Sequence, residues 1–277
     1  MDPVGRAVWY IESHFAQTIT LDAVARAGGL SRFHMSRAFG AVTGRSVMRY
    51  VRGRRLTEAA KALADGASDI LGVALDAGYG SHEAFTRAFR EQFGMTPEGL
   101  RAERCLGRIS LVEPFPMETV RVVELEQPRY ETSRSFLVAG LSERFTPDTR
   151  QRIPALWQRF APHIGHLPGQ VGAVAYGVCT NATDDGAFDY VAAVEVTSAD
   201  GLPPGFSSLR VPEHRYVVFT HRDHVSAIGD TMHTIWSTWL PRSGHEVADA
   251  PELERYDERF DPQSGQGGFE IWIPIKG

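Results

Sequence analysis

Hydrophobic positions recur every three or four residues through the first hundred residues and then give way to runs typical of β-strands. In "TLDAVARAG" the apolar residues share one side of a helix, and Met35 and Phe39 do so in the segment that follows. The stretch "SVMRYVRGRRLTEAAKALAD" keeps the same period over a greater length and predicts one long helix, with Gly53 as its weak position. The front of the chain is therefore predicted to be all-α.

This helical part contains one unit twice. The segment "GGLSRFHMSRAFGAVTG" aligns with "GYGSHEAFTRAFREQFG" at an offset of 50 residues, with matching glycines at both ends and matching Ser31 and Ser81. Self-similarity at a fixed spacing indicates a structural unit that is used twice. In each copy a glycine, Gly28 or Gly78, is predicted to end one helix, and the serine to cap the next. The pattern thus predicts two helix-turn-helix units joined by the long helix.

The second helix of each unit exposes arginine and small polar side chains, which suits a helix that enters the DNA major groove. Arginine binds guanine O6 and N7 through paired hydrogen bonds, worth about 1 to 3 kcal/mol of base discrimination. The predicted DNA contacts are Arg32, Phe33, Ser36 and Arg37 in the first unit, His82, Glu83, Thr86, Arg87 and Arg90 in the second, and Arg55, with Arg49, Arg52 and Arg54, as phosphate contacts on the connecting helix. The alternative for the arginines is a solvated side chain on the helix surface, and the alternative for Phe33 is packing against its own helix.

These features resemble the DNA-binding domain of the AraC/XylS family of bacterial transcription regulators. The resemblance covers about residues 5–104, and the second unit carries the family signature in "AGYGSHEAFTRAFREQFGMTPEGLR". It implies base contacts at Phe33, Ser36 and Arg37 in the first unit and at His82, Glu83, Thr86 and Arg87 in the second. It also implies double-stranded promoter DNA and RNA polymerase as partners. The family usually places this domain last in the chain, whereas here it comes first.

The pattern changes after Arg104, and Pro114 and Pro116 mark a boundary. Six strand-like runs follow: "VRVVEL", "SFLVAGL", "VGAVAYGVC", "DYVAAVEV", "YVVFTHR" and "FEIWIPI". Two helical stretches interrupt them, and each centres on an aromatic pair, Trp157 with Phe160 and Trp236 with Trp239, at an offset of 79 residues. A duplicated α+β domain is predicted, with domains at 1–108 and 118–277 and a linker at 109–117.

The second half resembles the GyrI-like effector-binding domain over residues 118–277, in "VPEHRYVVFTH", "IWSTWLP", "PELERYDERF" and "FEIWIPI" among other segments. In that family a cleft between the two halves binds amphipathic, often cationic, small molecules through aromatic rings around a buried glutamate. The resemblance implies ligand contacts at Trp157, Phe160, Tyr176, Tyr190, Trp236, Trp239, Glu254 and Glu270, with Glu254 as the buried glutamate. Core packing of the tryptophans, a surface salt bridge for Glu254 and a solvent-facing Glu270 are the alternatives.

Charge divides the chain at the same boundary. The formal net charge of −5 is the balance of +4 over residues 1–108 and −9 over residues 109–277. The front half is therefore suited to a polyanion, which the rear half would repel.

Cysteine and histidine positions predict neither a metal site nor a cofactor. Cys105 and Cys179 lack metal-type spacing and are expected to be small, buried, reduced residues, and His221 and His224 are expected at the surface. The chain shows no signal-peptide pattern and no run of 18 apolar residues, which predicts a cytoplasmic protein without a membrane partner.

Together these features predict a ligand-responsive, sequence-specific DNA-binding transcription regulator that senses an amphipathic or cationic small molecule, and not an enzyme. Two alternatives concern the C-terminal domain. In the first it is a small-molecule hydrolase, with Glu254 as general base on a water molecule and Tyr176 positioning the substrate. In the second it is a protein-interaction module with an acidic surface.

Overall fold

The computed structural model describes residues 2–116, 121–183 and 186–276, and the chain forms two compact units. The first unit comprises Met1–Met35 and Ser46–Thr119, and the second unit comprises Ser36–Arg45 and Val120–Gly277. A short helical stretch, 36–45, thus belongs with the C-terminal residues rather than with the helices that flank it in sequence. The domain limits 1–108, 109–117 and 118–277 stay predictions, and residues 117–120 lie outside the described residues.

Helices build the first unit, as the hydrophobic period predicts. They are α1 (Pro3–His14), α2 (Leu21–Gly28), α3 (Arg32–Thr43), which continues into the second unit, α4 (Val47–Ala64), α5 (Ile70–Asp76), α6 (His82–Phe93) and α7 (Pro97–Glu103). Side-chain oxygens cap most of their first turns: Asp2, Thr20, Ser46, Asp69 and Thr96 each accept a backbone N–H at the start of a helix. Such caps satisfy N–H groups that have no partner inside the helix.

The two predicted helix-turn-helix units are present as α2 with α3 and α5 with α6. The predicted serine caps are confirmed, because Ser31 Oγ accepts from the N–H of His34 and Ser81 Oγ accepts from the N–H of Ala84, each at 3.2 Å. The buried pairs are also confirmed: Met35, Phe39, Phe85 and Phe89 are all fully buried.

The glycines at the turns serve different purposes. Gly78 adopts a left-handed conformation with φ of 80°, as predicted for a residue that ends a helix. In the first helix-turn-helix unit the left-handed glycine is Gly29, with φ of 73°, and the prediction for Gly28 is wrong. Gly28 is the last residue of α2, and a Cβ there would lie 2.9 Å from the carbonyl oxygen of Pro3. A glycine is therefore needed at Gly28 for the close approach of α1.

The long connecting helix α4 is confirmed, and its glycine has a packing reason. A Cβ on Gly53 would lie 2.8 Å from Val112 Cγ2, so the small residue lets the segment after α7 pack against α4. The neighbouring Arg54 is buried, with 4% exposure, and donates to Glu12 Oε1 at 3.0 Å and to the Val112 carbonyl at 2.9 Å. The prediction that Arg54 contacts phosphate is therefore wrong, because its guanidinium is enclosed by the first unit itself.

An antiparallel sheet of eight strands forms most of the second unit. The strands are β1 (Arg129–Ser133), β2 (Phe136–Phe145), β3 (Gln170–Thr180), β4 (Phe188–Val196), β5 (Ser207–Val211), β6 (His214–His221), β7 (Glu252–Tyr256) and β8 (Phe269–Pro274). Helix α8 (Ile153–Phe160) follows β2, while α9 (Ile228–Thr234), a π-helical turn (Ile235–Trp239) and α10 (Leu240–Ser243) follow β6.

The strand order confirms the predicted duplication. It runs β1-β6-β8-β7-β3-β4-β2-β5, so that β7 and β3 meet at the centre and equivalent strands lie at equal distances on either side. Each half has one helical connection in the same place, after β2 or after β6. The first strands are exchanged, since β1 pairs with β6 of the second half and β5 pairs with β2 of the first. The predicted fold class, an all-α domain followed by a duplicated α+β domain, is confirmed.

Some strand predictions fail where the local pattern is weak. Residues 121–125 of "VRVVEL" form no strand, and Val120 lies outside the described residues. Conversely, β1, β5 and β7 are short and rich in polar residues, so their hydrophobic content alone does not mark them. These strands form because they pair with neighbours that have stronger strand patterns.

Strand register assigns side chains to the two faces of the sheet, because residues directly opposite each other in neighbouring strands share a face. Gly177 lies opposite both Glu254 and Ala192, which places these three positions on one face. Tyr176 lies opposite Arg255, on the other face. That other face carries the buried hydrophobic cluster of Phe136, Val138, Val178, Val191, Ala193, Val211, Tyr216, Val218 and Leu253. Among the described residues, none of the helices is both long and apolar enough to cross a bilayer.

Candidate functional site

The carboxylate of Glu254, on the central strand β7, is held by two tyrosine hydroxyls. Tyr190 on β4 donates to Glu254 Oε2 at 2.6 Å, and Tyr256 on β7 itself donates to the same oxygen at 2.8 Å. Trp157 on α8 donates its indole N–H to the Tyr190 hydroxyl at 2.9 Å. These four residues, called the Glu254 site here, form a hydrogen-bond chain that ends on one carboxylate.

Gly177 makes this chain sterically feasible. It lies on β3, between the strands that carry Tyr190 and Glu254, and directly opposite Glu254. A Cβ at this position would overlap the Tyr190 hydroxyl and would lie 2.7 Å from Glu254 Oε2. The Tyr190 hydroxyl and the Glu254 carboxylate therefore meet in the space that a side chain at position 177 would occupy.

Aromatic rings surround the carboxylate. The rings of Trp157 and Tyr256 meet edge to face with centroids 5.1 Å apart, and Tyr256 stacks on Phe269 at 4.6 Å. Phe160 packs behind Trp157 at 6.0 Å and is fully buried. In general, a carboxylate beside aromatic rings attracts an organic cation by its charge, and the rings add cation–π contact.

Burial sets the protonation of the site. It raises the pKa of Glu254, the two tyrosine hydrogen bonds oppose that rise, and the nearby Glu252 carboxylate adds to it. Burial and the Glu254 carboxylate also raise the pKa values of Tyr190 and Tyr256, so both hydroxyls keep their protons and donate. Burial likewise raises the pKa of Cys179, which therefore stays a thiol and is a poor nucleophile.

The structure brings together four of the eight predicted ligand residues: Glu254, Tyr190 and Trp157, with Phe160 behind them. Tyr176 and Glu270 do not belong to this group. Tyr176 lies on the opposite face of the sheet from Glu254, so the structure does not bring together the two residues that the hydrolase alternative names, and that alternative stays a prediction. Glu270 lies opposite Arg255, on the same face as Tyr176.

Glu270 is a structural ion-pair centre instead. It is 5% exposed and accepts from Arg129 at 2.9 Å, from Arg259 at 3.1 Å and from the indole N–H of Trp272 at 3.0 Å. Its predicted role in ligand binding is wrong for this structure, because positively charged partners already surround its carboxylate.

The remaining two predicted ligand residues also lie apart from the Glu254 site. Trp239 packs edge to face on Phe219 at 4.9 Å and stacks near His245 at 6.3 Å, which is core packing. Trp236 is fully buried, and its ring lies 5.3 Å from the guanidinium carbon of Arg37.

Sequence reasoning missed Tyr256 and Gly177. Tyr256 is two residues from Glu254, and the alternation of "ELERY" would have placed both on one face had that segment been recognised as a strand. Gly177 had no sequence signal, because its role depends on a tyrosine from the neighbouring strand.

Two minor predictions were wrong as well. Cys105 is exposed rather than buried. His221 is buried rather than at the surface, with Nδ1 2.9 Å from Thr231 Oγ1. Among the described residues, no group of three His, Cys, Asp or Glu side chains is placed to hold a metal ion.

The outer face of α6 carries the predicted DNA contacts of the second helix-turn-helix unit. A surface depression of ≈ 590 Å³ is lined by His82, Glu83, Thr86, Arg87, Arg90 and Glu91. Glu83, Arg87 and Arg90 are exposed, and His82 lies 3.0 Å from Glu98 Oε1. The Thr86 hydroxyl oxygen is buried and has no hydrogen-bond partner among the described residues, so it does not face outward as predicted. Glu83, Arg87 and Arg90 lie outward as predicted, and the contacts of all these positions with bases stay a prediction.

The predicted DNA contacts of the first helix-turn-helix unit are less accessible than those on α6. Arg32 and Phe33 are exposed, and Arg32 lies 3.5 Å from Asp22. Ser36 is 6% exposed, and the side chain of Arg37 is 12% exposed and paired with Glu252. The prediction that Ser36 and Arg37 face outward is wrong for this structure, while their contact with bases stays a prediction.

Arg55 forms hydrogen bonds inside the first compact unit. Its Nε donates to the Phe15 carbonyl at 2.6 Å and its terminal nitrogen donates to the Gln17 carbonyl at 2.5 Å. The guanidinium thus satisfies carbonyls just after the end of α1. A phosphate contact by Arg55 stays a prediction, and this geometry does not favour it.

Gly177→Ala should disrupt the Glu254 site without adding or removing a charge. The added methyl group would force Tyr190 and Glu254 apart, and overpacking of this kind costs about 1 to 3 kcal/mol. We expect a lower thermal midpoint of unfolding than in wild type. Gly172→Ala is the control, because a Cβ there meets nothing within 4 Å, although φ of 66° adds backbone strain. An equal decrease of the thermal midpoint in both variants would contradict the role of Gly177.

Comparisons with known proteins agree with this architecture. Residues 24–103 match the helix-turn-helix domain family, and residues 126–276 match the family described as the GyrI-like small molecule binding domain. Together they define a DNA-binding transcription regulator that carries a small-molecule-binding domain. The chain belongs to the AraC family of such regulators, with a GyrI-like C-terminal domain.

Three relatives are similar to this chain, two over almost all of it and one over a third of it. The chain is 28% identical to the transcriptional regulator Rob of Salmonella typhimurium strain LT2 over 97% of this chain and 96% of Rob. It is 27% identical to the right origin-binding protein of Escherichia coli K12 over the same shares. It is 38% identical to the regulatory protein SoxS of E. coli K12 over 33% of this chain and 86% of SoxS.

Proposed function

We propose that this regulator senses an amphipathic organic cation at the Glu254 site and binds promoter DNA in a sequence-specific manner. The observation that carries the proposal is the half-buried Glu254 carboxylate, held by two tyrosine hydroxyls beside aromatic rings. A carboxylate partly removed from water costs free energy, and a cation that neutralises it recovers part of that cost. Flat rings tolerate ligands of different shapes. The site is therefore expected to select ligands by charge and hydrophobicity rather than by one exact shape.

The tyrosine hydroxyls favour a sensing role over a catalytic one. They donate hydrogen bonds to Glu254 Oε2, and Trp157 donates to Tyr190, so this oxygen accepts from the protein's own donors and is a weaker base toward a water molecule. The nearby thiol of Cys179 has a raised pKa and is not activated.

DNA binding is proposed through the outer face of α6, with Arg87 and Arg90 as the principal contacts. Arginine matches the acceptor pair of guanine in the major groove. Glu83 is compatible with this face where it accepts from cytosine N4. RNA polymerase, which the family resemblance implies as a partner, is proposed as a further contact.

A titration of the full-length protein tests the sensing proposal. Tetraphenylphosphonium, as a lipophilic cation, should quench tryptophan fluorescence in a saturable way, whereas neutral triphenylphosphine oxide should bind more weakly. Mass spectrometry after incubation should recover the cation unchanged. Consumption of a related ester or amide probe would mean that the domain is an enzyme, and equal binding of the cation and the neutral compound would contradict recognition by charge.

A further inference from the structure

Arg37 occupies a second carboxylate site in the second unit, distinct from the Glu254 site. Its guanidinium forms an ion pair with Glu252, and the two side chains are only 12% and 10% exposed. The guanidinium carbon lies 5.6 Å from the ring centroid of Phe188 and 5.3 Å from that of Trp236. Arg37 belongs to the stretch 36–45 that the fold groups with this unit. A carboxylate and two rings thus enclose one guanidinium group.

Three separate elements build this enclosure. Glu252 begins β7, Phe188 begins β4, and Trp236 lies in the π-helical turn after α9. Planar guanidinium groups bind carboxylates and stack on aromatic faces, and both contacts strengthen away from water. The combination is therefore selective for an arginine-like cation.

The Arg37 guanidinium forms only part of its possible hydrogen bonds in this enclosure, as expected for a group that can leave it. One terminal nitrogen of Arg37 pairs with Glu252, whereas Nε is buried and has no hydrogen-bond partner among the described residues. Arg150, whose terminal nitrogen donates to the Ala41 carbonyl at 2.7 Å, places a second positive charge close enough to act on Arg37. A buried guanidinium with one unpaired N–H and a like-charged neighbour is bound less tightly than a fully paired one.

We propose that Glu252, Phe188 and Trp236 form a guanidinium-binding site whose internal ligand is Arg37, and that this site withholds Arg37 from DNA until a cation binds nearby. The inference rests on the proposed function, because it takes Arg37 to be a base-contacting residue. While Glu252 holds its guanidinium, Arg37 is not available to a guanine edge. Release of Arg37 restores a DNA contact that the first helix-turn-helix unit otherwise lacks.

Proximity supplies the link to the sensed cation. Glu252 and Glu254 lie two residues apart on β7, on one face, so their Cα atoms are separated by about 6 to 7 Å. The charge of Arg37 is felt at Glu254, whose pKa it lowers. A cation at the Glu254 site and the guanidinium at Glu252 therefore repel each other across a poorly solvated space. Because coupling between two ligands is reciprocal, removing the charge of Arg37 while Glu252 stays in place should strengthen cation binding.

A double-mutant cycle on the full-length protein tests the contact without DNA or effector. Arg37→Ala, Glu252→Gln and the double variant should show non-additive changes of the thermal midpoint, with a coupling of about 2 to 4 °C. Arg37→Lys, which keeps the charge but loses the planar stacking group, should fall between wild type and Arg37→Ala. Additive changes would overturn the proposal, whatever the DNA measurements give.

DNA binding tests the consequence. On DNA selected by the wild-type protein, Glu252→Gln should bind about 3- to 10-fold more tightly, and adding Arg37→Ala should remove the gain. Glu143→Gln is the control, because it removes the same charge from a pair with Arg159 in the same unit. Equal affinities of Glu252→Gln and Glu143→Gln would overturn the withholding of Arg37. If wild type and all variants show no sequence preference, the proposed DNA function fails, while the thermal cycle still decides on the contact.

Cation binding gives a third readout that DNA does not influence. Arg37→Ala should bind tetraphenylphosphonium about 3- to 10-fold more tightly than wild type, because the repelling charge is gone. Arg159→Ala, which removes a charge from an exposed position in the same unit, should change the affinity by less than about 2-fold. Unchanged affinity in Arg37→Ala would contradict the link between the two sites.

Discussion

Glu254→Gln is expected to weaken the binding of tetraphenylphosphonium by about 30-fold, which corresponds to about 2 kcal/mol. Glutamine has nearly the same shape and its amide oxygen still accepts from one tyrosine hydroxyl, but it carries no charge. The loss therefore measures the electrostatic part of binding in a site whose aromatic walls are unchanged. Fluorescence titration or calorimetry of the full-length protein gives the two dissociation constants.

The control for this variant is a ligand rather than another residue. Neutral triphenylphosphine oxide should bind to wild type and to Glu254→Gln with affinities that differ by less than about 3-fold, since it gains nothing from the carboxylate. A large loss for both ligands would instead indicate that the substitution has disturbed Tyr190 and Tyr256.

The pH dependence of cation binding follows from the raised pKa of Glu254. The cation prefers the ionised carboxylate, so its affinity should rise with pH, by up to tenfold per pH unit below that pKa, and become constant above it. The stability of the ligand-free protein has the opposite sign. From the ordinary value of 4.5 up to the folded pKa, the unfolded chain is ionised while the folded carboxyl keeps its proton, so stability falls as pH rises. In Glu254→Gln both effects should be smaller, and part of the stability loss should remain because burial also raises the pKa of Glu252.

Arg87→Ala is expected to relax the preference for one base pair by about 10- to 100-fold, the size of one arginine–guanine contact of roughly 1 to 3 kcal/mol. Arg87 is exposed and lines the surface depression on α6. The full-length protein would be used to select sites from random DNA, and sequencing of the bound fraction would give the preference at each position.

Arg87→Lys separates base contact from simple charge. Lysine keeps the positive charge, so the dependence of affinity on salt should stay as in wild type, while Arg87→Ala should lower the slope by about one. Both variants should lose the preference for guanine, because lysine lacks the planar pair of donors. If Arg87→Ala weakened binding to all sequences equally, Arg87 would be a phosphate contact.

Much of the first unit could be predicted because its signals are local. Ser31 and Ser81 cap helices through atoms three residues away, and Phe85 with Phe89 face inward through a helical period that the sequence displays directly. Arg54 and Arg55 are instructive exceptions. Both fit the pattern of an exposed basic helix, yet their partners are Glu12 and the carbonyls that follow α1, about 40 residues earlier in the chain.

The Glu254 site was only partly predictable, because its members come from strands that are distant in sequence. Resemblance pointed to Glu254, Tyr190 and Trp157, and equally to Tyr176 and Glu270. Whether a strand residue faces the site depends on register with its neighbours, and a shift by one residue reverses the face. Tyr176 and Gly177 are adjacent in sequence, yet only Gly177 lies next to Glu254.

The sequence by itself determined the two helix-turn-helix units, the duplicated second domain, and the presence of a glutamate among aromatic residues, since these depend on short-range periodicity, caps and repeats. Tertiary structure alone decided which tyrosines reach Glu254, why Gly177 has no side chain, and that Glu252 holds Arg37. The physical reason is the same in each case: strand pairing and burial bring together groups separated by tens to hundreds of residues, and the free energy of a buried charge depends on the partner it meets there.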